Sequence, residues 1–212
     1  MNEMRQRATE NFPSVLLTLL SIVQALAVEL LWSHIRATAY LFELNWISLI
    51  AWVQIIATLI GIVLVWIVYS SNAMRFRWLP TTSDSVFPFF IGLLEFMLVE
   101  ILGPDDIGQW LILLAMVFAM MHWIAHHTMK RARQEPANAG FFKKRKPAVL
   151  RDFLNEIISV SALVLAGLTI WVSGNNGALA LLLLLIANAL LGWQFYLAST
   201  FWNYSIAENS EE

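Results

Sequence analysis

An uncharged stretch fills residues 46–69, which read WISLIAWVQIIATLIGIVLVWIVY. A helix needs about 20 mostly apolar residues to cross a hydrocarbon core roughly 30 Å thick, so this stretch predicts a transmembrane helix. Further apolar stretches that suit the same role occupy residues 12–31, 87–102, 107–125, 153–172 and 178–201. The sequence therefore predicts an all-α integral membrane protein with about six transmembrane helices.

The composition favours an exterior covered by lipid. Hydrophobic residues make up 59% of the 212 residues and charged residues only 13%, whereas soluble domains average about 25% charged residues. The chain has no cysteine, which excludes disulfides, thiolate metal sites and thiol catalysis.

The basic residues are segregated along the chain. Twelve of the 13 Lys and Arg residues lie in the N-terminal segment and in the second and fourth connections, and Arg36 is the remaining one. Basic loops stay on the cytoplasmic side, so we expect a bacterial-type inner (plasma) membrane protein with both termini cytoplasmic. The predicted organisation is a cytoplasmic N-terminus at 1–11, a transmembrane domain at 12–204 with a cytoplasmic basic loop at 127–152, and an acidic cytoplasmic tail at 205–212.

The first and third predicted spans resemble each other. Residues 23–31, VQALAVELL, align without gaps with residues 94–102, LEFMLVEIL, and each span opens with Phe-Pro. This pattern favours two-helix hairpins repeated in parallel orientation, as some transporters have. The alternative is a chance likeness, because apolar segments draw on few residue types.

Polar side chains inside the predicted spans are the candidates for function. Glu95 lies near the middle of the third span, Glu29 and Glu100 lie in the outer thirds of theirs, and Gln24 stands where the third span has Glu95. An ionised carboxylate at the bilayer centre costs at least about 2.5–3.5 kcal/mol. We therefore expect an ion pathway, for protons or small cations, formed by Glu95, Glu100, Glu29, Gln24, Gln54 and Asn188. The alternative is that these groups only hydrogen-bond between helices.

The connections contribute two further expectations. Glu43, Asp105 and Asp106 would form an acidic outer vestibule that raises the local concentration of cations. The basic run of Lys143, Lys144, Arg145 and Lys146 is expected to contact anionic lipid headgroups. The alternative for this run is that its charges serve only to set the topology.

Histidines near the inner face form another candidate site. His122 and His126 are four residues apart and so share one helix face, and Glu156 begins the fifth span at a similar depth. These three residues predict a possible metal site. Trp123 follows the first histidine where a zincin has glutamate, which argues against metalloprotease chemistry. The alternative is that the histidines complement the dipole at the helix C-terminus.

Three functions remain open at this point. The first is a channel or transporter for protons or small cations. The second is a non-catalytic scaffold or accessory subunit of a larger membrane complex. The third is a membrane-embedded enzyme with the inner-face His and Glu site. For each of these functions, a homo-oligomer or a partner membrane subunit is an expected assembly. No catalytic residue set, cofactor or nucleic-acid partner is expected.

Overall fold

The computed structural model describes residues 3–143, 145–174 and 176–208. Its α-helices are α1 (Glu3–Ala37), α2 (Trp46–Arg75), α3 (Thr82–Glu100), α4 (Ile107–Ala132), α5 (Ala139–Lys143), α6 (Leu154–Ser173) and α7 (Gly177–Glu208). Short 3₁₀ helices lie at Ala39–Phe42, Pro136–Asn138 and Leu150–Phe153. Six helices, all but α5, are long and apolar enough to span a membrane, and the described ranges contain no strand. The predicted all-α class and the six apolar helices are confirmed.

Two helices begin earlier than the sequence predicted. Helix α1 starts at Glu3 instead of residue 12, and α3 starts at Thr82 instead of residue 87. As a result Pro13 and Pro88 lie inside helices. Each proline removes its own N–H from the ladder and its ring crowds the carbonyl four residues earlier, yet both helices continue through it. In the added turns of α1, Arg7 pairs with Glu3 one turn away at 3.1 Å.

The six long helices form a closed ring. The order around it is α1, α3, α4, α6, α7 and α2, each in contact with the next, and α2 also touches α4 across the middle. Helices α2 and α4 are accordingly the most buried, and α6 and α7 are the least. The core therefore lies along α2 and α4, with α1 and α3 packed side by side on one flank.

Contacts between connections define the two ends of the bundle. At one end, which we call the basic end, Arg131 near the end of α4 binds Asp84 near the start of α3, and Arg5 of α1 lies 3.3 Å from Glu135. The opposite end carries the connection with Asp105 and is called the acidic end. Both names describe only the residues found there.

Helices α4 and α6 meet most closely near the acidic end, through two glycines. A Cβ added to Gly108 would lie 2.9 Å from the carbonyl oxygen of Gly167, and one added to Gly167 would lie 2.7 Å from that of Gly108. Small residues at a helix crossing allow two backbones to approach in this way. Any larger side chain at either position would force the helices apart.

Candidate functional site

A buried polar contact joins α1 to α3. Gln24 donates its side-chain amide to both carboxyl oxygens of Glu95, at 3.0 and 2.9 Å. Glu95 is 1% exposed and Gln24 is 6% exposed. These are the two residues that occupy equivalent positions in the sequence echo, so the structure brings together the positions that the alignment paired.

The close approach of α1 and α3 explains why these side chains meet. A Cβ on Gly92, three residues before Glu95, would lie only 2.4 Å from a methyl carbon of Val23, which immediately precedes Gln24. Glycine therefore lets the two backbones come close enough for the short Gln24 amide to reach Glu95. Any residue other than glycine at position 92 would force Val23 to move.

The pair has an unequal hydrogen-bond balance. Gln24 uses one nitrogen for both oxygens of Glu95, while its own carbonyl oxygen is buried without a hydrogen-bond partner in the part of the chain that the structure describes. A protonated Glu95 would carry an O–H that can be donated to that oxygen once the amide rotates. The neutral acid can therefore satisfy every polar atom of the pair, whereas the ionised form leaves one acceptor unused.

Apolar layers enclose the pair on both sides. One turn toward the basic end, Leu20 and Ile91 are fully buried, and one turn toward the acidic end Ala27 and Leu98 are buried as well. These side chains lie on the same two helices as Gln24 and Glu95. In this conformation the carboxyl is closed off from either end of the bundle.

Other buried polar atoms lie farther along the core. Gln54 of α2 is completely buried; its oxygen accepts the backbone N–H of Gly103 at 3.2 Å, and its nitrogen has no partner among the residues described. Near the basic end, Tyr69 and Trp78 each bury a polar atom that has no partner in the described part of the chain, and both line a small cavity with Asp84. Leaving a buried polar group without a hydrogen bond costs about 1–3 kcal/mol. These polar side chains therefore destabilise the core relative to apolar residues of similar size.

The remaining members of the predicted ion pathway lie away from Glu95. Glu29 and Glu100 are exposed on the outer surfaces of α1 and α3. Asn188 of α7 is half-buried and donates to the backbone oxygens of Val53 and Leu184 at 3.1 and 2.9 Å, so it ties α7 to α2. The structure brings Gln24 and Glu95 together, whereas Glu29 and Glu100 are exposed and Asn188 bonds to α2 and to its own helix.

The predicted vestibule residues lie in or beside the connections at the acidic end. Glu43 and Asp105 are exposed, and Asp106 is half-buried. Glu43 accepts a hydrogen bond from Asn45 at 2.8 Å. Burial and, to a lesser extent, the negative charge of Asp105 raise the pKa of Tyr40.

The histidine cluster is only partly assembled. His122 lies 4.0 Å from Glu156, while the ring of His126 packs edge-on against Phe153, with centroids 5.0 Å apart. In the described ranges no group of three or more His, Cys, Asp or Glu side chains is arranged to hold a metal ion. The metal site therefore stays a prediction, with two of its three residues in proximity.

The basic run after α4 folds back against the bundle. Phe142 is buried and stacks on Phe76 at 5.4 Å, and the guanidinium of Arg133 lies 4.6 Å from the Phe142 ring centroid. Lys143 and Lys146 are exposed, Arg145 is half-buried over Phe141, and Lys144 lies outside the described residues. The two lysines are therefore exposed on the outside of the protein, whereas Phe142 packs against the bundle.

Sequence reasoning missed the ion pair between Asp84 and Arg131. Asp84 is 4% exposed. It accepts from the backbone N–H of Thr81 at 2.7 Å, and Arg131 binds both of its oxygens. The spacing of Thr81 and Asp84 is that of a helix capping box, which marks Asp84 as a helix-start residue and does not reveal its pairing with Arg131.

Comparison with known proteins gives no match to a protein-family model, to a curated protein or to a solved structure.

Proposed function

We propose that the chain is a multi-pass membrane protein that moves protons across the bilayer by way of Glu95. The observation that carries this proposal is a carboxyl within an apolar helix, 1% exposed, whose hydrogen-bond donor is the neutral amide of Gln24. An ionised carboxylate inside hydrocarbon is unfavourable, by at least about 2.5–3.5 kcal/mol at the bilayer centre. Glu95 is therefore expected to hold a proton or a cation whenever the bundle is closed.

The surroundings favour a proton over a metal cation. Hard cations such as Mg²⁺ and Ca²⁺ take about six or more oxygen ligands. The pair offers the two oxygens of Glu95 and the unpartnered oxygen of Gln24. A single proton shared between the acid and the amide needs no further ligand, so protons suit this site better than small metal cations do.

The closed apolar layers favour a transporter over an open channel. A proton leaving Glu95 would meet the buried side chains of Leu20 and Ile91 in one direction and of Leu98 in the other. Exchange with either side therefore requires helices to move, as in alternating access. Parallel hairpin repeats, with α1 and α3 as their first helices, would provide two equivalent units for that motion.

The proposed orientation places the basic end in the cytoplasm, with both termini on that side. The support is the charge asymmetry, since basic segments resist translocation. In this orientation the exposed Lys143 and Lys146 would face the anionic headgroups of an inner membrane, and the acidic end would face outward.

Proton flux in liposomes tests the proposal. The purified chain is reconstituted into liposomes that contain a pH-sensitive dye. The dye response to an imposed pH gradient is then compared with that of protein-free liposomes. Glu95→Gln should remove the protein-dependent flux, since an amide cannot carry the proton. Glu29→Gln is the matched control, because Glu29 is an exposed glutamate on the neighbouring helix and its loss should leave flux within about twofold.

A swap variant adds a rescue arm. Gln24→Glu combined with Glu95→Gln keeps one carboxyl and one amide in the same enclosed pair, and should restore part of the flux that Glu95→Gln removes. If Glu95→Gln conducts as well as the parent chain, the proposal is wrong.

A second function, a scaffold or accessory subunit, is favoured by a different observation. Glu29 and Glu100 are exposed on helix faces that also expose Leu26, Leu30 and Met97. Carboxylates on an apolar face are more stable against a partner helix than against acyl chains. Purification in a mild detergent separates the two functions: a stoichiometric partner protein supports the scaffold, whereas flux from the isolated chain supports transport.

A further inference from the structure

A groove opens between α4 and α6 on the side of the basic end. The two helices are in close contact near the acidic end at Gly108 and Gly167. The groove lies at the other end of their crossing, and the segment 148–153 lines its side toward the basic end. It contains about 1130 Å³ including its open mouth. Its principal lining residues are His122, Trp123, His126, Phe153, Glu156 and Ile157.

The floor of the groove presents a hydrogen-bond acceptor. The Nδ1 atom of His122 lies 2.7 Å from the carbonyl oxygen of Phe118; a carbonyl only accepts, so Nδ1 carries the proton. The other ring nitrogen then faces one oxygen of Glu156 at 4.0 Å. The side chain of Glu156 is 23% exposed and lines the groove, whereas its Oε2 atom is buried, so Oε1 is the oxygen that a ligand can reach. Oε1 and the ring nitrogen of His122 face each other at 4.0 Å, too far for a direct hydrogen bond. A ligand that donates an O–H at this point would complete the arrangement.

The depth of the floor limits the type of ligand. His122 precedes Lys130 by eight residues and Glu156 follows Arg151 by five. At about 1.5 Å per residue, the pair lies roughly 8–12 Å farther into the bundle than these basic side chains, which mark headgroup level in the proposed orientation. A phospholipid headgroup that pairs with Lys130 or Arg151 cannot also reach Glu156. A small uncharged head on an apolar tail can.

The walls favour a flat aromatic head. Trp123 is half exposed and is fixed from behind by Phe87, with ring centroids 5.2 Å apart. Phe153 faces the groove and packs against His126. Aromatic side chains bind another ring by stacking or by edge-to-face contact. Above them the lining is aliphatic, with Ile157 and Val160, which suits a hydrocarbon tail.

We propose that this groove binds a lipophilic quinol. One quinol hydroxyl donates to Oε1 of Glu156, the oxygen that faces His122, the ring lies between Trp123 and Phe153, and the tail follows Ile157 toward the bilayer centre. The proposal concerns binding alone and is independent of proton movement at Glu95, which lies on α3 and does not line this groove.

Binding of a short-chain probe tests this inference. A hydroquinone with a decyl tail is kept reduced under anaerobic conditions and titrated calorimetrically into the full chain in lipid nanodiscs, with empty nanodiscs subtracted. We expect saturable binding of one probe per chain. Glu156→Gln should weaken binding about tenfold, because the hydroxyl then donates to a neutral amide oxygen, a weaker acceptor than a carboxylate oxygen. The oxidised quinone has no hydroxyl to donate and should bind about tenfold more weakly than the quinol.

Two neighbouring substitutions provide the matched control. Ile157 lines the groove, whereas Ile158, the next residue on α6, is exposed and does not line it. Ile157→Trp should fill the groove and abolish binding, and Ile158→Trp should leave the affinity unchanged. Glu95→Gln should also bind the probe normally, even where it stops proton flux.

Several outcomes would overturn the inference. Equal affinity for quinol and quinone would exclude the hydroxyl donor to Glu156. Unchanged binding in Ile157→Trp would place the probe elsewhere. Displacement of the probe by phosphatidylethanolamine at equal concentration would identify the groove as an ordinary phospholipid site. Because Glu156→Gln alters one half-buried group, it tests the inference even where Ile157→Trp fails to fold.

Discussion

Helix α3 holds two buried carboxyl groups in opposite surroundings. Asp84, near the basic end, is bound by the guanidinium of Arg131 and by the backbone N–H of Thr81. Glu95, eleven residues later, is bound only by the neutral amide of Gln24 among the described residues. The two are almost equally buried, at 4% and 1% exposure, so burial alone does not distinguish them.

The difference lies in what balances the charge. A guanidinium stays protonated under all ordinary conditions, so Asp84 has a fixed counter-charge and serves to join α3 to α4. An amide supplies hydrogen bonds but no charge, so the charge of Glu95 must be balanced by something that can arrive and leave. A buried acid without a fixed cation is therefore the better candidate for function, and the following variants test this distinction.

Breaking the Asp84 pair should give the largest loss of stability. Asp84→Asn removes the carboxylate and leaves Arg131 without its partner, and removing one partner of a buried pair destabilises by about 3–5 kcal/mol. The side chain of Arg131 is 24% exposed, so solvent screening favours the lower end, about 3 kcal/mol. Reversible unfolding in mixed detergent and SDS micelles measures the change.

The double variant Asp84→Asn with Arg131→Leu provides the control. Removing both charges leaves no unpaired ion, and replacement of buried pairs by apolar residues is often neutral. The double variant should therefore recover much of the stability that Asp84→Asn loses. A double variant as unstable as the single one would show that the pair does not act through charge balance.

A smaller loss is expected where α1 and α3 touch. Gly92→Ala would place a Cβ 2.4 Å from Val23, and overpacking of this kind costs about 1–3 kcal/mol. Since the helices must separate, the Gln24–Glu95 hydrogen bonds should lengthen and proton flux should fall as well. Gly61→Ala is the matched control, because its nearest neighbour would be at 3.5 Å, an ordinary contact. Similar unfolding curves for the two variants would contradict the close packing.

The sequence predicted the six apolar helices well, because the length needed to cross hydrocarbon shows in long segments. It placed the starts of α1 and α3 too late, since Pro13 and Pro88 look like boundaries yet are tolerated inside these helices. The alignment of residues 23–31 with 94–102 paired Gln24 with Glu95, and these two side chains are hydrogen-bonded in the structure.

The sequence did not determine which side chains of each helix face the interior of the bundle. Glu95 and Glu100 are five residues apart, about 140° around the axis, and only packing decides which of the two turns inward. The structure buries Glu95 and exposes Glu100. The pairing of Asp84 with Arg131 joins residues 47 positions apart, and no local pattern reveals such a contact. The sequence likewise could not show that one oxygen of Glu156 has no hydrogen-bond partner among the described residues, because that depends on how α4 and α6 pack together.

The smallest stability effect is expected at Glu95 itself. In Glu95→Gln the new amide can donate to the unpartnered oxygen of Gln24 while accepting from its nitrogen, so both side chains form reciprocal hydrogen bonds. The free energy of unfolding should stay the same or rise by up to about 1 kcal/mol, measured in the same micelles as for Asp84→Asn. Two carboxyls on one helix would then behave oppositely: one needed for stability, the other for flux only. A loss comparable to that of Asp84→Asn would instead mean that Glu95 is bound by a counter-charge in the membrane and serves the fold.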